Sequence, residues 1–134
     1  MDTAQVTKSV TSPKPREKEV QAACLQWLCT LPEVRVWRRN VGAMAGRSVA
    51  GKSWYVKFGE AGMSDLEGMM HGIHLEIEIK RSGKKPTLDQ YRWLEEIRRF
   101  GGIAFWCDTI DMCVEETRAA FTARGWEWRK SWEV

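Results

Sequence analysis

The sequence has little that could staple or anchor a fold. Its four cysteines include no C-x-x-C pair, and three of them sit in apolar patterns, which predicts reduced thiols and neither a disulfide framework nor a zinc site. There are only two histidines, and His71 precedes Gly72 in a predicted turn, so neither is taken as a ligand. No apolar run approaches the length that spans a bilayer, which excludes membrane partnership through a helix of that kind. Residues 1–13 carry Thr3, Thr7, Ser9, Thr11, Ser12 and Pro13 but no secretory h-region, and are expected to be a flexible tail on a cytoplasmic protein. At 134 residues and 43% hydrophobic content the remainder, 14–134, is expected to form one domain.

Acidic side chains are missing from one long stretch. Between Arg35 and Gly59 there are six basic residues, Arg35, Arg38, Arg39, Arg47, Lys52 and Lys57, and no aspartate or glutamate. Arg81, Lys84 and Lys85 extend the run further along the chain. With a net charge of only +3, the distribution matters more than the total. A stripe of this kind would bind a polyanion such as DNA through its phosphates without reading sequence, although a solvated loop has the same composition.

The most informative segment is Ile73-His74-Leu75-Glu76-Ile77-Glu78-Ile79-Lys80. Its alternation at the strand period puts Leu75, Ile77 and Ile79 on one face and His74, Glu76, Glu78 and Lys80 on the other. Same-face neighbours on a strand lie roughly 7 Å apart, so Glu78 can hold a cation while Lys80 reaches a substrate oxygen beside it. With Asp65 supplied by a neighbouring strand, two carboxylates and a backbone carbonyl form a hard-oxygen set suited to Mg²⁺ or Mn²⁺. Taken alone, the E-x-K spacing fits a solvated, cross-strand-paired face at least as well.

The wider constellation carries a resemblance. Asp65 followed by Glu78-Ile79-Lys80 resembles the core of the PD-(D/E)XK nucleases. Residues 16 to 115 resemble their VRR-NUC branch through Glu17-Lys18-Glu19-Val20-Gln21, Trp37-Arg38-Arg39-Asn40-Val41-Gly42-Ala43, Gly62-Met63-Ser64-Asp65-Leu66, Gln90 and Gly101-Gly102-Ile103-Ala104-Phe105. Ser64 stands where the superfamily has proline, a position that does no chemistry. The resemblance implies an α/β restriction-endonuclease-like core, a central mixed β-sheet flanked by helices. It also implies metal ligation by Asp65, Glu78 and the Ile79 carbonyl, catalysis by Lys80, and supporting roles for Glu17, also a possible ligand, and Gln90. The implied protein is a homodimeric, Mg²⁺- or Mn²⁺-dependent endonuclease acting on branched DNA, similar to Holliday junction resolvases, in a bacterial cell or phage-infected host.

Local patterns bear on the supporting residues. Val20, Cys24, Trp27, Leu28 and Leu31 recur at helical spacing, with Glu17 on the edge of that face and Glu19 on the more polar side; both also suit a first helical turn on dipole grounds. Thr87-Leu88-Asp89-Gln90 reads as a capping box, which alone would account for Gln90. Gly46-Arg47-Ser48-Val49-Ala50-Gly51-Lys52-Ser53 fits the P-loop pattern, yet aromatic, alternating Trp54-Tyr55-Val56-Lys57-Phe58 follows where a helix is required, so the segment is expected to be a flexible basic loop near the substrate. A P-loop nucleotide-binding protein and a DNA-binding module with a vestigial nuclease site are the competing functions.

Periodicity and stop signals predict a helix over about 15–30 and strands near 34–39, 54–58, 63–69 and 73–80. A helix over 87–100, a strand over 103–107 and a helix over about 108–124 complete the order, the catalytic strand and 103–107 forming a parallel β-α-β unit. Trp126, Trp128 and Trp132 are expected to cover the core, or else to present an exposed patch for self-association.

Overall fold

The computed structural model describes residues 13–39, 42–58 and 62–134, with 42–45 and 54–58 described by their backbone alone. Elements run α1 (Glu17–Leu28), β1 (Val34–Arg38), β2 (Gly42–Arg47), β3 (Ser53–Phe58), β4 (Leu66–Met70), β5 (Ile73–Ile79), α2 (Leu88–Arg99), β6 (Ile103–Cys107) and α3 (Ile110–Ala123). A 3-10 turn, Lys130–Trp132, closes the chain. The protein is α/β: a four-stranded sheet in the order β1-β4-β5-β6, antiparallel except for the parallel β5–β6 pair, with three helices on it. The β5-α2-β6 connection is the expected parallel crossover.

Side-chain alternation sorts the two faces. Val34 and Val36, Leu66 and Met70, Leu75, Ile77 and Ile79, and Ile103, Phe105 and Cys107 turn to one side, where they bury against Val20, Cys24, Trp27 and Leu28 of α1 and Cys113, Val114 and Phe121 of α3. With buried Thr117, these helical residues fall on one stripe of each helix, at i, i+4, i+7, i+8 in α1 and i, i+1, i+4, i+8 in α3, which aims the stripe at the sheet. Trp126, Trp128 and Trp132 pack against this core, around Phe121 and Trp27, with the Trp27 indole donating to the Trp132 carbonyl at 2.7 Å. Core cover, the first of the two expectations for the tryptophans, is what the structure describes.

The opposite face carries Glu67, Glu76 and Glu78 and is roofed by α2. Glu76 and Glu78 are only 1% and 2% exposed, so the charged side of β5 is a buried layer and not a solvated surface. Helix α2 starts at the predicted capping box: Thr87 Oγ1 accepts from the Gln90 N–H at 3.3 Å and Gln90 Oε1 accepts from the Thr87 N–H at 2.8 Å.

The expected flexible loop over 46–53 is instead the closed end of a β2–β3 hairpin, paired from Gly42–Phe58 to Arg47–Ser53 in a sheet of its own. A P-loop requires a helix directly after the glycine-rich turn, and here a strand follows, so that alternative is withdrawn. Among the described residues no helix is long and apolar enough to cross a membrane.

Candidate active site

The predicted residues converge where β4 begins and β5 ends. Strand β4 starts at Leu66, not at 63, because Asp65 occupies a bend held from two sides. Its carbonyl accepts from the Arg39 N–H at 2.8 Å and its Oδ2 accepts from the Ile79 N–H at 2.9 Å. A strand residue projects its N–H and C=O to the same side, so the Ile79 carbonyl is directed to the Asp65 side of β5. The Lys80 N–H turns the other way, to the Cys107 carbonyl at 2.9 Å.

Glu78 is the centre of the cluster. Its Oε1 accepts from Gln90 Nε2 at 3.0 Å and lies 3.6 Å from Lys80 Nζ, while its Oε2 is buried with no donor among the described residues. Burial, then the neighbouring Asp65 carboxylate, pushes the Glu78 carboxyl up to about 9; Lys80 opposes the shift and Glu17 adds to it. Glu17, at the first turn of α1, is also raised, by desolvation and then by the charge of Asp65, with Lys80 acting against it. Three carboxylates thus press on one another around a single ammonium. An orphaned buried carboxylate oxygen beside a second carboxylate calls for a proton or a cation between them, and hard oxygens in that number fit Mg²⁺ or Mn²⁺.

The local folding explains why these side chains arrive. Glu19 caps α1 by accepting from the Arg16 N–H at 3.3 Å, leaving Glu17 as the acid of that turn beside Asp65 and Lys80. Gln90 fills the capping role read from sequence through its side-chain oxygen, while its amide nitrogen holds Glu78 in place. Gly62, at φ +80°, brings the Asp65 segment against α2: a Cβ there would sit 2.5 Å from the Asp89 carbonyl oxygen.

The basic stripe is only partly a surface. Arg38, Arg47, Lys52, Arg81, Lys84 and Lys85 are exposed, and the side chain of Lys57 lies outside the described residues. Arg39 is a correction. Its side chain is 8% exposed, because its guanidinium is ion-paired with Glu67 and, at 2.6 Å, with Glu76, and it lies over the Trp93 ring. Glu67 and Glu76 oppose each other directly in the β4–β5 ladder, and two like charges so placed draw in a cation. Hydrogen bonding to Arg39 holds Glu67 below the usual carboxylate range. Burial would push Glu76 up, but bonds from Arg39, Trp93 and His74 reverse that and hold it low. Glu67 and Trp93 were not identified from sequence, and Gly62 only as part of the Asp65 motif with no role given, yet Glu67 and Glu76 stand at mirror positions about the His71-Gly72 turn, which is a readable signal.

Away from this cluster, the sulfurs of Cys24, Cys107 and Cys113 lie within 4.8 Å of one another inside the core, and Cys29 is exposed. No protein-family model matches the chain, and no curated protein matches its sequence.

Proposed function

We propose that this protein is a Mg²⁺- or Mn²⁺-dependent endodeoxyribonuclease with a PD-(D/E)XK-type core of the VRR-NUC branch, cutting branched DNA such as a four-way junction. The observation that carries the reading is the orphaned, buried Glu78 carboxyl beside Asp65, Glu17 and a single lysine. Asp65, Glu78 and the Ile79 carbonyl would hold the ion, with Glu17 at its edge. When bound, the ion supplies Lewis-acid stabilisation of phosphoryl charge and lowers the pKa of water for attack.

The chain's own residues supply the rest. Gln90 fixes the Glu78 carboxylate by a hydrogen bond, so the ligand is preorganised before substrate arrives. Asp65 is fixed by the Ile79 N–H. Glu78 must give up its proton for the cation to bind, which makes the site's occupancy depend on pH. Lys80 Nζ, beside Glu78, donates to a phosphoryl oxygen and offsets the charge that grows there. Exposed Arg38, Arg81, Lys84 and Lys85 hold flanking phosphates. A two-fold homodimer would set two such sites against a two-fold junction.

The test is cleavage of labelled four-way junction, linear duplex and single strand by wild type and Lys80→Ala, with Mg²⁺, Mn²⁺ or EDTA. Paired, metal-dependent cuts confined to the junction and absent from Lys80→Ala are expected. Cuts in all three substrates would remove the branch selectivity. DNA binding without cleavage under either metal would replace the enzyme with a DNA-binding module whose acidic site is vestigial.

A further inference from the structure

The tip of the β2–β3 hairpin carries none of the site residues named above, yet it is built. Ser48 N–H donates to the Lys52 carbonyl at 2.8 Å, Lys52 N–H to Ser48 Oγ at 3.1 Å, and Gly51 N–H to the Ser48 carbonyl at 2.9 Å. Gly51 sits at φ +81°, the left-handed residue that lets a three-residue hairpin loop close with a bulge. The arm behind it is six residues long, or about 20 Å, and it shares no ladder with the four-stranded sheet.

Its chemistry is unusual for a turn facing water. Turns ordinarily favour Gly, Pro, Asn, Asp and Ser. Here the loop opens with Val49, its side chain fully exposed, followed by Ala50. Arg47 on one strand and Lys52 beside the other flank it, both exposed, and no acidic residue occurs from Arg35 to Gly59. An apolar point between two cations is the arrangement by which a protein enters a base step while gripping the phosphates on either side.

We propose that this hairpin is a wedge for branched DNA: Val49 enters the stack at the branch point, and Arg47 and Lys52 hold the two backbones that diverge there. The choice of partner rests on the branched-DNA reading above. Insertion is favoured at a branch because stacking is already interrupted there, whereas a continuous duplex must first be opened. With Arg47 and Lys52 committed to phosphates and no amide side chain at the tip, the device would select DNA shape and not sequence.

Four-way junctions carrying 2-aminopurine next to the branch, or in mid-arm, test this in EDTA at saturating protein. Wild type is expected to raise emission at the branch position only. Val49→Ser should lose that rise and Val49→Leu should keep it. Arg47→Ala and Lys52→Ala should each make the salt dependence of binding shallower by about 0.9 in log–log slope. An equal rise with Val49→Ser, or wild type bound without any rise, overturns the wedge. Metal-dependent cleavage without a branch signal would remove the wedge and leave the nuclease. A Val49-dependent branch signal without cleavage in either metal would do the reverse, and failure to bind the junction would remove both.

Discussion

Replacing Glu78 by glutamine should stabilise the metal-free protein, by an amount that grows with pH. The side chain keeps its shape, and Gln90 keeps an oxygen to donate to. What changes is the proton. Burial first, and Asp65 second, push the Glu78 carboxyl up to about 9 from an ordinary 4.5. Below pH 4.5 both folded and unfolded chains carry the proton, and the two proteins should differ little. Above it the unfolded chain ionises while the folded one holds its proton, so wild-type stability falls by about 1.4 kcal/mol per pH unit until the folded pKa is reached. That sets a ceiling of about 5 kcal/mol at pH 8. Relaxation around the ionised group, equivalent to a higher effective dielectric, should bring the observed gain to roughly 2–3 kcal/mol. The assay is urea unfolding of both proteins from pH 5 to 9 in EDTA, in which the difference between the curves cancels the titrating groups that do not couple to Glu78. Repeating it with Mg²⁺ or Mn²⁺ should stabilise wild type by mass action and leave Glu78→Gln unmoved. Parallel pH curves for the two proteins in EDTA would refute the reasoning.

Three further outcomes follow from the structure. Arg39→Ala leaves Glu67 and Glu76 facing each other without a cation and should cost about 3–5 kcal/mol by denaturant unfolding. Because Arg39 depresses both carboxyls, the stability it provides is present above the ordinary carboxylate range and lost as pH falls through it, so the deficit should shrink in acid. Gly62→Ala meets both a left-handed backbone and the Asp89 carbonyl; it should lose about 1–2 kcal/mol and, by displacing the Asp65 segment from α2, lower cleavage more than junction binding. Ellman titration of the native protein should modify Cys29 rapidly, with Cys24, Cys107 and Cys113 reacting only at the rate of unfolding.

Much of the scaffold was legible because periodicity survives folding. The alternation over Ile73–Ile79 and the helical spacing from Val20 to Leu28 were fixed by the faces those segments bury. Asp65, Glu78, Lys80, Glu17 and Gln90 were found through the resemblance, and the structure brings those five together. Strand β2 was missed because Gly42-Ala43-Met44-Ala45 offers neither β-branched residues nor alternation, and its strand state comes from pairing with β3. Arg39 was misassigned for a related reason. A basic residue in a basic stretch reads as surface until its partners on β4 and β5 are known. The solvated alternative for Glu76 and Glu78 failed because the next helix, α2, folds back over β5 and supplies the roof through Gln90 and Trp93.

The β4–β5 connection has a kinetic consequence. Asp65 and Glu78 flank one hairpin closed by the two residues His71 and Gly72, so their encounter requires only a short, local loop to form. Gln90 is as local, twelve residues from Glu78, whereas Glu17 comes from a helix that docks from far earlier in the chain. The acidic pair and the glutamine that holds it can therefore assemble early, while the third carboxylate arrives last. Cation affinity measured during refolding would then rise in two stages, which makes the ion itself a reporter of the order in which the domain is built.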